Sequence, residues 1–221
     1  MTPSVAWVLV RSGHLVRSLR LAPFGPGAAA VVAFLVARRG GTHDVVGDLR
    51  ELGLLLALGS GYVLDDGAAV TLQASPYGLA RRLWLRIGCA AAIVVPQWTA
   101  MLARLLPSAP ATDRWVLGLG LTVELAAALA VVWAVAAWGR RYGVEHPGII
   151  TTPALLASLL LAASLSEAPM LAGAGPQWTS AHLRWSGILV GAAGVLVAAM
   201  RDPAARRRST DRHPSRVRQR V

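Results

Sequence analysis

Long apolar runs separated by short polar segments dominate this chain of 221 residues. A helix crosses a bilayer with about 20 consecutive, predominantly apolar residues. Six runs approach that length, and the predicted spans are residues 21–37, 45–64, 87–106, 115–138, 148–165 and 185–200. The pattern therefore predicts an all-α fold, a polytopic transmembrane helical bundle of about six spans.

The second span has the weakest pattern of the six. Its charge-free stretch, Leu52 to Leu64, is too short to cross a bilayer by itself. A crossing requires a helix that begins near Val45 and carries Asp48, Arg50 and Glu51 in its outer turns. A re-entrant segment is the alternative. In the third span, Pro96 predicts a kink.

Two flanking segments differ in composition from the spans, which together make a transmembrane domain of residues 21–200. Residues 1–20 place apolar side chains along one helical face and arginines elsewhere, which predicts an amphipathic helix in the membrane interface. The segment lacks the cleavage pattern of a signal peptide. Residues 201–221 carry eight arginines and few apolar residues, which predicts a basic, disordered tail.

The charged residues predict the orientation of the chain. All 22 basic residues are arginines, and the formal net charge is +11. With both termini in the cytoplasm, sixteen arginines lie inside and six outside, in agreement with the positive-inside rule. The basic segments are therefore expected to contact anionic lipid rather than nucleic acid. The Ala-rich, lysine-free composition favours a bacterial cell (inner) membrane.

Few side chains are candidates for chemistry. Glu124 is the one carboxylate deep in a strongly apolar span. It is expected to line a transport pathway, to pair with an arginine of another helix, or to be protonated and hydrogen-bonded inside the bundle. The small residues Gly187, Gly191 and Gly194 predict close helix packing, within the subunit or between two copies. Cys89 stands alone, so neither a disulfide nor a cysteine metal site is expected.

The polar segment between the second and third spans has an ordered pattern. Asp65 and Asp66 are suited to cap a short helix of about residues 67–74. Pro76 would end that helix, and the basic pair Arg81 and Arg82 opens the approach to the third span. The pattern predicts a short helix parallel to the membrane that can contact a cytoplasmic partner.

This segment resembles the coupling helix of the membrane-spanning permease subunits of type-2 ATP-binding-cassette (ABC) exporters. The similar positions are Asp65, Asp66, Thr71, Leu72, Pro76, Arg81 and Arg82, with aspartates where the family usually has glutamates. The resemblance implies a permease that works by alternating access, as a homodimer or with a related permease subunit. A separate cytoplasmic ATPase would bind these positions. The chain cannot be that ATPase, because a P-loop needs a lysine.

Two other functions remain open at this point. A non-transporting membrane accessory or scaffold protein is compatible with the same pattern. A phosphatidyltransferase-like membrane enzyme is suggested by Asp65, Asp66 and Gly67 followed by Ala80 and Arg81. There, however, the Ala-Arg pair comes late, and the next aspartate is Asp113. We therefore expect no catalytic residue, cofactor or metal site in this chain.

Overall fold

The computed structural model describes residues 44–65, 79–153, 155 and 175–201. Within these ranges the chain forms helices and turns and no strand. The long helices are α1, Val45–Gly61; α2, Leu79–Leu105; α3, Arg114–Arg141; and α4, Trp178–Met200. Residues 147–153 are also helical. The all-α prediction is confirmed for this part of the chain. The predicted interfacial helix, the first span and the tail beyond Arg201 lie outside the described residues.

Local hydrogen bonds explain where α1 begins and where α3 ends. The Asp44 side chain accepts a hydrogen bond of 3.2 Å from the Val46 backbone N–H, which satisfies one donor in the first turn of α1. The predicted start near Val45 is thus confirmed. Gly143 ends α3 with a φ of +83°, and the Gly143 and Val144 N–H groups donate to the Arg140 and Gly139 carbonyls. This is a glycine-terminated helix end.

Among the described residues, three helices are long and apolar enough to cross a membrane: α2 with its following turn, α3 and α4. Helix α1 has 17 residues and continues into a 3-10 turn, Tyr62–Leu64. Helix α2 remains one helix through Pro96. The sequence predicts an outer loop over residues 167–183, between the fifth and sixth spans, because the segment is rich in Gly, Pro and Ala. That prediction is wrong for residues 178–183, because helix α4 begins at Trp178 rather than at Trp185.

The contacts between helices define their directions. Arg50 of α1 contacts Glu124 of α3, and Ser60, later in α1, contacts Trp133, later in α3. Helices α1 and α3 are therefore parallel. Helix α4 is parallel to α3. Its His182 lies beside Glu124, while its Ala198 carbonyl accepts a 2.7 Å hydrogen bond from Arg141.

Helix α2 runs antiparallel to α1. Trp98 lies against Gly53 at the middle of α1, and Arg86 donates to the Val63 carbonyl beyond the end of α1. We call the two ends of the bundle the Trp115 end, where α3 begins, and the Tyr142 end, where α3 finishes. One buried apolar cluster extends from the Trp115 end and includes Leu49 and Leu121. A second cluster lies towards the Tyr142 end.

Candidate functional site

Glu124 lies on α3 in a run of apolar residues and is only 7% exposed. It is ten residues beyond Arg114, about 15 Å along the helix at about 1.5 Å per residue. The hydrocarbon core of a bilayer is about 30 Å thick, so this depth is close to the middle of a helix that crosses it. An ionised carboxylate at such a depth needs a charged or hydrogen-bonding partner.

Arg50 of α1 supplies that partner. Its Nε donates to Glu124 Oε2 at 2.7 Å, and its Nη2 donates to Oε1 at 2.6 Å. Two parallel, charge-assisted hydrogen bonds between a guanidinium and a carboxylate combine strength with a fixed orientation. The predicted pairing of Glu124 with an arginine of another helix is therefore the arrangement that the structure shows.

His182 of α4 completes a three-helix cluster. Its Nε2 lies 3.0 Å from Glu124 Oε1, although the approach is not aligned as a hydrogen bond. Its Nδ1 lies 2.7 Å from the Trp178 carbonyl oxygen, one turn earlier in α4. The Trp178 ring stacks 4.0 Å from the imidazole and lies 5.7 Å from the Arg50 guanidinium carbon. We call Arg50, Glu124 and His182 the charged cluster.

The close approach of α4 to α3 at this level requires Gly120. A Cβ atom at this position would lie 2.5 Å from Trp178 Cζ2 and 2.7 Å from His182 Nε2. Both distances are shorter than any normal contact, so a larger residue would push α4 away from α3. Two residues further along α3, the Trp98 indole of α2 donates to Thr122 Oγ1 at 3.1 Å.

An apolar groove begins beside the charged cluster. A recess lined by Arg50, Glu124, Leu54, Ala128 and Trp185, among others, opens next to the ion pair. The last three of these residues also line a second recess of about 620 Å³ that has only apolar walls and extends along α1, α3 and α4. The charged cluster therefore lies beside the end of this groove that faces the Trp115 end of the bundle.

Asp65, predicted to contact a partner, is buried at the Tyr142 end. Its Oδ1 accepts a 2.7 Å hydrogen bond from the Gly148 N–H, and its backbone carbonyl accepts a 2.5 Å hydrogen bond from Arg86 Nη1. Only glycine fits at position 148, because a Cβ would lie 2.9 Å from the Gly61 carbonyl oxygen. The structure thus gives Asp65 a role in joining α1, α2 and the helical residues 147–153.

The remaining predicted coupling residues are only partly described. Arg81 is exposed and Arg82 is half-buried, both in the first turn of α2. Asp66, Thr71, Leu72 and Pro76 lie outside the described residues. The structure therefore brings Asp65, Arg81 and Arg82 to the Tyr142 end, far along the bundle from Glu124.

The predicted packing glycines, Gly187, Gly191 and Gly194, lie on the exposed face of α4. A Cβ atom at each would meet nothing within 4 Å. These glycines therefore make no close helix contact within the part of the chain that the structure describes, and their packing against another subunit remains a prediction.

Sequence reasoning missed two members of the charged cluster. It placed Arg50 only in the outer turns of a span, and it assigned His182 to a loop. A signal for His182 was present, because Trp178, His182 and Trp185 recur at the spacing of one helical face. No sequence pattern links Arg50 to Glu124, which is 74 residues away.

Among the described residues, no group of three His, Cys, Asp or Glu side chains is arranged to hold a metal ion.

Comparisons of the chain with protein-family models, with curated proteins and with solved structures found no match.

The Arg50–Glu124 pair can be tested by a double-mutant cycle. Arg50→Met or Glu124→Leu alone leaves an uncompensated buried charge, and we expect each to lower the free energy of unfolding by about 3–5 kcal/mol. The double variant removes both charges and should lose clearly less than the sum of the two. Unfolding in mixed micelles of increasing sodium dodecyl sulfate content measures these differences.

Arg104→Met, at an exposed arginine of α2, is the matched control and should change the unfolding free energy little. If the losses of the two single variants simply add in the double variant, the two side chains do not interact.

Proposed function

We propose that this chain is the membrane-spanning subunit of a transporter driven by a separate ATPase, of the kind that its resemblance to type-2 ABC exporter permeases implies. The observation that carries the proposal is the charged cluster, which lies about 15 Å along α3, inside the span that we propose crosses the membrane. Ionisable side chains inside a bilayer are costly and usually mark an ion or substrate pathway. A protein needing only helix packing would be more stable with well-packed apolar residues at these positions.

The same proposal includes six spans with the Tyr142 end in the cytoplasm. In a chain that crosses the membrane at every span, the second, fourth and sixth spans run one way and the third runs the other. The directions of α1, α3, α4 and α2 support that order. Helix α1 and its 3-10 turn together measure about 30 Å at about 1.5 and 2.0 Å per residue, enough for a crossing.

The transport pathway in this proposal follows the apolar groove. Its walls come from α1, α3 and α4, and its charged end is formed by Arg50 and Glu124. Rocking of α4 relative to the other two helices would widen the groove. A second copy or a related permease subunit would pack against the open face of Gly187, Gly191 and Gly194, where small residues allow close approach. Peptides, lipid-like molecules and drugs all remain candidate cargoes.

Coupling to the ATPase would act through residues 66–78. This segment leaves from Asp65 and returns at Leu79, the first residue of α2. Because Asp65 and Arg86 are tied into the bundle, a force on the segment would pass directly to α1 and α2. In this arrangement Asp65 positions the segment, and Arg81 would contact the ATPase from the exposed surface of α2.

Cysteine labelling tests the topology. In a Cys89→Ser background, we introduce single cysteines at the exposed positions Asp44, Ser108 and Glu145. A membrane-impermeant maleimide added to intact cells should label the first two and leave the third unlabelled until the cells are opened. Labelling of Asp44→Cys only in opened cells, together with Glu145→Cys, would show that α1 does not cross.

Co-purification tests the partner. The tagged full chain is isolated in mild detergent from its native host, and bound proteins are identified by mass spectrometry. We expect a P-loop ATPase with the native chain and its loss from the variant that combines Pro76→Ala with Arg81→Ala. The matched control is Arg104→Ala together with Arg184→Ala, two exposed arginines towards the Trp115 end, which should retain the ATPase.

Absence of any ATPase from an intact native preparation would contradict the exporter proposal. The chain would then be better described as an accessory or scaffold membrane protein.

A further inference from the structure

The contact between Glu124 and His182 depends on where the imidazole carries its protons. His182 Nδ1 lies 2.7 Å from the Trp178 carbonyl oxygen. A carbonyl oxygen can only accept a hydrogen bond, so Nδ1 must carry a proton to make this contact favourable. The neutral form of the ring has one proton, which leaves Nε2 with a bare lone pair.

The lone pair of a neutral ring would be unfavourable here. Nε2 is buried and lies 3.0 Å from Glu124 Oε1, an oxygen that is itself only an acceptor while the carboxylate is ionised. Both Glu124 oxygens already accept hydrogen bonds from Arg50, which has donors alone. A second proton on the imidazole would place a positive charge 3.0 Å from this carboxylate oxygen and so remove the contact between two acceptors.

Arg50 opposes a second cation at His182, whereas the Glu124 carboxylate and the Trp178 ring favour one. The face of Trp178 stacks on the imidazole, and an aromatic face attracts cations. On α1, Asp48 lies two residues before Arg50 and therefore about 200° away around the helix, at about 100° per residue. Glu51, the residue after Arg50, is exposed. On α4, Arg184 is exposed. Helix α2 presents Trp98 at this level rather than a charged side chain. Among the described residues, Glu124 is thus the acidic group that faces His182.

We propose that the Glu124–His182 contact is a proton-binding site in the membrane interior. One proton binds at Nε2, beside Glu124 Oε1. With it, the charged cluster has two cations and one anion, and α4 is held to α3. Without it, the Arg50–Glu124 pair persists while the attachment of α4 weakens. Proton occupancy therefore controls how firmly α4 closes against α3 beside the apolar groove. This inference needs no ATPase and is independent of the exporter proposal.

Nitrogen-15 NMR of the full chain in lipid nanodiscs, with label only in histidine, tests the proposal. The spectrum separates imidazolium from neutral rings, and the signal that His182→Gln removes belongs to His182. We expect the native chain to show the imidazolium signal of His182 at a chosen pH within a scan from about pH 8 to pH 5. In Glu124→Gln the carboxamide can donate to Nε2, so the imidazolium signal should be lost at the same pH.

His146→Gln changes a histidine of the loop after α3 and is the control, which should leave the His182 signal unaltered. A His182 ring that stays neutral in the native chain from about pH 8 to pH 5 would overturn the proposal. So would an imidazolium that Glu124→Gln leaves unchanged. The pH scan of the native chain decides the question even if Glu124→Gln does not fold.

Discussion

The bidentate pair between Arg50 and Glu124 is the interaction on which the arrangement of the bundle depends. Helix α1 is short and carries charges in its first half, so it has little tendency to enter a bilayer alone. Helix α3 is strongly apolar but contains a carboxylate at its middle. Each helix neutralises the charge of the other, which fixes both their contact and their register. Helix α1 therefore packs beside α3 partly because Arg50 needs the Glu124 carboxylate as its partner.

Two polar junctions at different levels connect the helices. Towards the Trp115 end, the charged cluster joins α1, α3 and α4. At the Tyr142 end, Asp65 and Arg86 join the exit of α1 to α2 and to the helical residues 147–153, and Arg141 reaches the α4 carbonyls. Helix α1 takes part in both junctions. In the transporter that we propose, a movement of residues 66–78 would therefore be transmitted along α1 to Arg50.

The sequence predicted best what depends on local pattern. The start of α1 at Val45 could be predicted because a crossing required a helix of that length. Glu124 stood out because a carboxylate in an apolar run is rare. Its partners could not be predicted, since the approach of Arg50 and His182 depends on three helices being parallel and on Gly120 admitting Trp178. Asp65 looked like a contact residue because its acceptor role is evident in sequence, whereas its partner, the Gly148 N–H, is distant in the chain.

The central claim is that this charged cluster lies inside the membrane, and its depth can be measured directly. Spin labels at Val116, Ala126 and Val135, in a Cys89→Ser background in lipid vesicles, report collision with oxygen and with a water-soluble nickel chelate. The account predicts the highest oxygen and lowest nickel accessibility at Ala126, half a turn from Glu124. Nickel accessibility at Ala126 equal to that at Val116 would place the cluster in contact with water and contradict the account.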